Sequence, residues 1–213
     1  MNRVIFLADG FNLYHSLVQA QRDAGGTTAK WLDLRSLCAS FLPLVGRCSG
    51  ERASLERIYY FSASPTHRSQ GKQDRHTLYV RCLRATGVNV ELGRFKSKQM
   101  WCPICRKPFV SHEEKETDVA IATRLFEICH SDEAESVVLL TGDTDLAPTV
   151  RTCKRLFSTK LILFAFPYRR TNAELAAISP ESFSIKRRSC LRHQFPDPFV
   201  MPDGTSIAKP AAW

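Results

Sequence analysis

VVLLTGDTDLAP, residues Val137 to Pro148, reads as a buried strand that ends in a sharp turn and passes into a helix. The β-branched and leucine side chains of Val137 to Leu140, closed by Thr141, are apolar on both faces, as a central strand requires. Gly142 permits the bend, Asp143 and Asp145 follow one residue apart, and Leu146 to Arg155 resume with helical spacing of apolar positions. Two carboxylates therefore fall at the carboxyl end of a parallel strand, where open α/β sheets present their ligands. An Asp at the start of a helix accepts backbone N–H bonds and stabilises it by about 1 kcal/mol. That role accounts for one carboxylate and leaves the other facing the space above the sheet edge.

The same pattern occurs at the beginning of the chain. Arg3 to Ala8 (RVIFLA) is a second buried-strand pattern that ends at Asp9, turns at Gly10 and continues as a helix from Phe11 to Gln21, with Asn12 within reach of the same space. Asp9 as a cap and Asn12 as a turn residue are the structural alternatives. Further along, Glu56 to Ala63, Val88 to Phe95, Lys160 to Phe166 and Ser182 to Ile185 read as strands. Trp31 to Val45 (with Asp33 as N-cap), Asp74 to Ala85, Glu113 to His130 and Asn172 to Ile178 read as helices. This alternation predicts an α/β fold: a doubly wound, mostly parallel sheet with helices on both faces. Residues 1–190 form the expected domain, with a Cys-containing hairpin insertion over 96–112. Residues 191–213, with Pro196, Pro198, Pro202 and Pro210, form an extended proline-rich tail.

The composition is that of a globular protein with one departure, a formal net charge of +9 from 30 Lys and Arg against 21 Asp and Glu. A surplus of this size draws polyanions, and nucleic acid is the leading partner class. No segment approaches the roughly 18 apolar residues of a membrane span. The absence of a signal-peptide cleavage pattern adds the expectation of a cytoplasmic location. Most of the eight cysteines lie singly in apolar patterns, as small core residues do; only Cys102 and Cys105 are paired by spacing.

If the strand before Asp143 lies beside the first strand, Asp9, Asp143, Asp145 and Asp118, near the first turn of its helix, converge. Four anionic groups in one cleft repel each other unless a cation sits among them. A hard divalent ion with oxygen ligands, Mg2+ or Mn2+, fits that donor set and polarises phosphoryl oxygens. Basic residues fit around such a cleft: Lys96, Lys98, Arg106 and Lys107 in one run, Arg151 to Arg170 in another, including Arg169 and Arg170. His67 and Arg68 lie in a connection on the same side of the sheet.

Three blocks, Phe6 to Tyr14 (FLADGFNLY), Glu114 to Ala122 (EKETDVAIA) and Leu140 to Leu146 (LTGDTDL), resemble the signature segments of NYN-domain proteins, members of the PIN-like superfamily of metal-dependent ribonucleases. The resemblance runs over roughly residues 3 to 190, and the joint order of three blocks is more specific than any one. It implies a PIN-like fold and a Mg2+ or Mn2+ site at Asp9, Asp118, Asp143 and Asp145, with Asn12 and Thr141 as supporting polar groups. Leu146 stands where family members often carry Phe, a conservative difference.

Cys102, Cys105 and His112 suggest a structural Zn2+, but supply three ligands where a tetrahedral site needs four. His67, His76 or a partner chain are candidates for the fourth. The alternative is a reduced hairpin whose cysteines pack near Trp101 and Phe109. The expectation is a metal-dependent endoribonuclease, with RNA held by His67, Arg68, Lys96, Lys98, Arg169 and Arg170, in a chain that could also self-associate. Its rivals are a non-catalytic RNA-binding or assembly module and a small-substrate phosphatase.

Overall fold

The computed structural model describes residues 1–213. In order, the elements are β1 (Asn2–Asp9), α1 (Gly10–Asp23), α2 (Leu34–Ala39), α3 (Leu42–Ser49), β2 (Ala53–Ser64), α4 (Gln70–Ala85), β3 (Asn89–Trp101), β4 (Pro108–Lys115), α5 (Thr117–His130), β5 (Ser136–Leu140), α6 (Ala147–Leu156), β6 (Leu161–Phe166), α7 (Ala173–Ile178), β7 (Phe183–Ser184), α8 (Arg187–Arg192), β8 (Phe199–Val200) and β9 (Ser206–Ile207). A single 3-10 turn, Thr144–Leu146, joins β5 to α6.

Seven strands form one sheet in the order β4-β3-β2-β1-β5-β6-β7, parallel throughout except for β4. The chain winds outward from β1 through β2 and β3, then returns to the other side of β1 with β5. The two central strands are in register from Val4 opposite Ser136 to Ala8 opposite Leu140, so Asp9 and Thr141 leave the sheet side by side. That junction is a topological switch point, where the connections diverge and leave a crevice.

Alternation along β1 sends Val4, Phe6 and Ala8 to one face and Ile5 and Leu7 to the other, as the two-residue period of a strand dictates. The first face buries Leu13, Leu37 and Leu83 of α1, α2 and α4; the second buries Ile121, Leu125, Val150 and Leu175 of α5, α6 and α7. Phe195 and Ile207, from the proline-rich end, join the first face, and Trp213 packs within 6 Å of the Trp31 and Tyr79 rings.

Three local expectations are corrected. The helix expected over 31–45 is two short ones, α2 and α3. Asp33 does cap the first, accepting from the Ser36 N–H at 2.9 Å, but the chain breaks at Ser40 and Phe41, and Pro43 begins a new first turn, where its missing N–H has no cost. The helix expected from Glu113 starts at Thr117, because 113–115 are the end of β4, paired with 94–96 and closed by ion pairs of Glu113 with Lys98 and Lys115. The hairpin expected within 96–112 is longer, and its first strand begins as part of the main sheet. β2 pairs with β3 only as far as Arg94, and from Phe95 onward β3 and β4 pair only with each other.

Candidate functional site

Asp9, at the end of β1, is 4% exposed, and both its oxygens are engaged. Oδ1 accepts the Asn12 N–H at 2.9 Å, which caps α1, and Oδ2 accepts the Thr141 hydroxyl at 2.9 Å across the switch point. The cap uses Oδ1 alone, and Oδ2 is held from the neighbouring strand end. Thr141 Oγ1 also accepts the Asp143 N–H at 3.1 Å, and Asn12 Oδ1 accepts the Gly142 N–H at 3.3 Å. These bonds tie the ends of β1 and β5 into one unit and set the direction in which Asp143 leaves the strand.

Gly142 is required for close approach: a Cβ there would lie 2.2 Å from the Arg170 carbonyl oxygen. Gly142→Ala should therefore destabilise the protein by about 1–3 kcal/mol, the usual cost of overpacking. At this chain length that lowers the melting temperature by roughly 2–4 °C per kcal/mol, checked by thermal denaturation followed by circular dichroism.

Carboxylate oxygens of Asp9, Asp118 and Asp143 lie within 4.8 Å of one another. Asp118 comes from the first turn of α5 and Asp143 from the cap of the 3-10 turn, where its Oδ1 accepts the Asp145 N–H at 3.1 Å. Asp145 itself is exposed and stays outside the group, although its charge bears on Asp118. No Lys or Arg makes an ion pair with any of the three. Burial pushes the Asp9 carboxyl up to about 6 against the pull of its two hydrogen bonds, with the charges of Asp118 and Glu114 adding to the rise. Desolvation, then the charges of Asp143 and Asp145, raise Asp118 as well. Crowded acids without a counterion, one of them buried, suit a hard divalent cation bound through oxygen.

A cavity of about 730 Å3 opens over this group. His67 and Arg68 line it as expected, but Lys96, Lys98, Arg169 and Arg170 do not. Lys98 pairs with Glu113 and Arg169 with Asp23, so two of these four have their charge engaged elsewhere. The basic wall is made instead by Lys30, Arg68, Lys72 and Arg75, none of which has a carboxylate partner. Glu114, also absent from the expected set, lines the cavity; its Oε1 accepts the Thr117 hydroxyl at 2.6 Å, and burial raises its pKa. Its signal was its place in the EKETD block. Lys72 and Arg75, three apart, share a helix face, but nothing in the sequence says which way that face points.

Cys102, Cys105 and His112 are not brought together. His112 pairs with Ser97 and stacks on His67, ring centroids 4.2 Å apart, at the cavity. Cys102 and Cys105 lie past the Trp101–Pro108 pair, four register levels further out, roughly 13 Å at about 3.3 Å per residue. His67 and His76 are at the cavity too, so neither completes a site at the hairpin tip.

No helix is long and apolar enough to cross a membrane. No curated protein matches the sequence. Among solved structures, a protein of unknown function from Vibrio parahaemolyticus is similar, with 17% identity and a TM-score of 0.51 over 87% of this chain and 93% of that one. At that identity the likeness shows the fold alone. The model of the NYN domain, a nuclease-like family of the PIN superfamily, matches residues 3–186. That span contains all three signature blocks and the carboxylates they bring together, and the chain belongs to the NYN domain family.

Proposed function

We propose that the chain is a metal-dependent endoribonuclease that hydrolyses RNA phosphodiesters and leaves a 5′-phosphate on the downstream product. The observation that carries the reading is the convergence of Asp9, Asp118 and Asp143, without a basic partner, at one end of a cavity whose other walls hold unpaired cations. A Mg2+ or Mn2+ ion bound there supplies charge stabilisation to the phosphoryl group and an activated water. The protein's own contribution is positional. Thr141 and the Asn12 N–H fix both oxygens of Asp9, Asn12 clamps the turn at Gly142, and the Asp143 N–H bond to Thr141 orients the third acid. Lys72, Arg75 and Arg68 hold the backbone phosphates that the carboxylates alone would repel. Phe11 and Tyr14, 50% and 45% exposed at the cavity, offer faces for unstacked bases, which favours single-stranded RNA over a small phosphoester.

The test is incubation of end-labelled single-stranded RNA with the protein in Mn2+, Mg2+ or EDTA. Internal cleavage that requires the divalent ion and leaves 5′-phosphate ends supports the reading. Tight RNA binding in EDTA with no product when Mn2+ is restored would instead identify a binding module. Hydrolysis of a small phosphomonoester with RNA left intact would identify a phosphatase. Joint replacement of Lys72 and Arg75 by Ala should weaken RNA binding and reduce the slope of log affinity against log salt by about 0.7 for each phosphate no longer neutralised, measured by fluorescence anisotropy across a salt series. An unchanged slope would remove these two residues from the binding surface.

A further inference from the structure

The outer half of the β3–β4 hairpin is an arm that nothing in the chain covers. Beyond Arg94 its strands pair only with each other, and an isolated two-stranded hairpin is marginal in water. Its apolar residues are nonetheless bare: Trp101 is 68% exposed, Ile104 92%, Phe109 49% and Val110 56%. Apolar side chains gathered at the end of a projecting arm mark a surface that meets another molecule.

The tip itself is built in detail. The Cys102 N–H donates to the Lys107 carbonyl at 3.0 Å and the Arg106 N–H to the Cys102 carbonyl at 2.9 Å, closing the turn, while Arg106 takes a left-handed φ of 53°. Cys102 and Cys105 both lie within that turn, past the last strand pair, Trp101 with Pro108. Neither cysteine is in a disulfide. Two cysteines three residues apart in one tight turn at an exposed tip supply half of the donor set that tetrahedral Zn2+ takes in structural sites.

We propose that the hairpin tip is a Zn2+-bridged homodimerisation site, in which Cys102 and Cys105 of two copies complete one tetrathiolate centre. Within one chain no third ligand is available, since the histidines of the hairpin base are at the cavity. A second copy supplies the missing pair by a two-fold rotation, the commonest closed symmetry, and lays its own Trp101 and Ile104 against the first. Zinc with four thiolates carries a net charge of about −2, and Arg106 and Lys107 of each copy surround it with positive charge. The arrangement is independent of the carboxylate cavity, and holds whether or not the cavity cleaves RNA.

The test is anaerobic titration of the reduced, full-length protein with Co2+, reading thiolate-to-cobalt charge-transfer absorption, to which the carboxylates are silent. Light scattering with Zn2+ and with chelator is run alongside. The expected result is an equivalence point at one metal per two chains, a doubling of mass with Zn2+, and return to the monomer mass with chelator. The Cys102→Ser/Cys105→Ser double variant, altered only at an exposed turn, should keep the wild-type melting temperature and lose both signals. Equivalence at one metal per chain with unchanged mass, the absence of charge-transfer absorption, or a dimer that persists in the double variant would each overturn the proposal.

Discussion

Asp143→Asn should leave a folded protein whose Mn2+-dependent RNA cleavage is lower by at least about 10²–10³-fold, the range lost when one electrostatic element of a preorganised site is removed. The substitution is chosen because it removes charge and little else. Asp143 Oδ1 accepts the Asp145 N–H, a bond that the Asn carbonyl oxygen can also accept, and the Asp143 N–H bond to Thr141 belongs to the backbone. Alanine at the same position would also lose the cap, about 1 kcal/mol, and confuse the two effects. Asp145→Asn should lose much less, because Asp145 lies outside the group of three and acts on Asp118 only through space. Single-turnover cleavage of one RNA oligonucleotide by the three proteins, each checked by its melting curve, gives the ranking. Undiminished activity in a well-folded Asp143→Asn would end the nuclease assignment, and equal losses at 143 and 145 would show that the metal-binding set is drawn wrongly.

The order of strands and helices was legible because the central strands are buried on both faces, and their apolar runs end in acids and glycines that a turn needs. The same local grammar exposed Asp9, Asp118 and Asp143: each sits within one turn of a boundary that hydrophobic periodicity marks clearly. What brings them together is the adjacency of β1 and β5, a condition in the sequence reading that the register of Ala8 with Leu140 meets. Asp145 was harder. A one-residue interval separates it from Asp143, but it lies inside the 3-10 turn that Asp143 caps and outside the group of three, and the sequence carries no sign of that turn's geometry.

The basic wall was read least well. Lys96, Lys98, Arg169 and Arg170 stand out because they cluster along the chain, yet Lys98 and Arg169 are engaged in ion pairs and none of the four faces the cavity. Lys30, Lys72 and Arg75 look unremarkable in sequence and converge only through tertiary packing. Charge on a helix surface has no preferred direction until the apolar face is docked, and α4 docks through Tyr79, Cys82 and Leu83, well after Lys72. His112 misled for a related reason: ten residues from Cys102 along the chain is near in sequence, but on the return strand of a hairpin it is carried back toward the base.

Asp9→Asn should make the metal-free protein more stable at pH 7.5, by up to about 3 kcal/mol, while removing its response to divalent ions. The folded Asp9 carboxyl titrates at about 6, against an ordinary value of 3.8, and burial is the leading cause. Because the folded value is raised, the folded state binds the proton more tightly than the unfolded chain. The ionised carboxylate therefore destabilises the fold above pH 6, by about 3 kcal/mol at 1.36 kcal/mol per pH unit, and this penalty fades as pH falls from 6 toward 4. Asparagine carries no charge to desolvate. It keeps an oxygen for the Asn12 N–H but presents an N–H group where Oδ2 accepted the Thr141 hydroxyl, which offsets part of the gain by about 1 kcal/mol. The difference between the two proteins should accordingly be largest at pH 7.5 and vanish or reverse near pH 4. Divalent ions act in the opposite sense: at 100 times the dissociation constant, a ligand of the folded state adds about 2.7 kcal/mol. Mn2+ should raise the melting temperature of the wild type by roughly 5–10 °C at pH 7.5 and leave Asp9→Asn nearly unmoved. Melting curves of both proteins across pH 4 to 8, with EDTA and with Mn2+, test the two halves separately. A variant less stable than wild type at pH 7.5 in EDTA would mean that Asp9 is held chiefly by its hydrogen bonds and carries no strain for a cation to relieve.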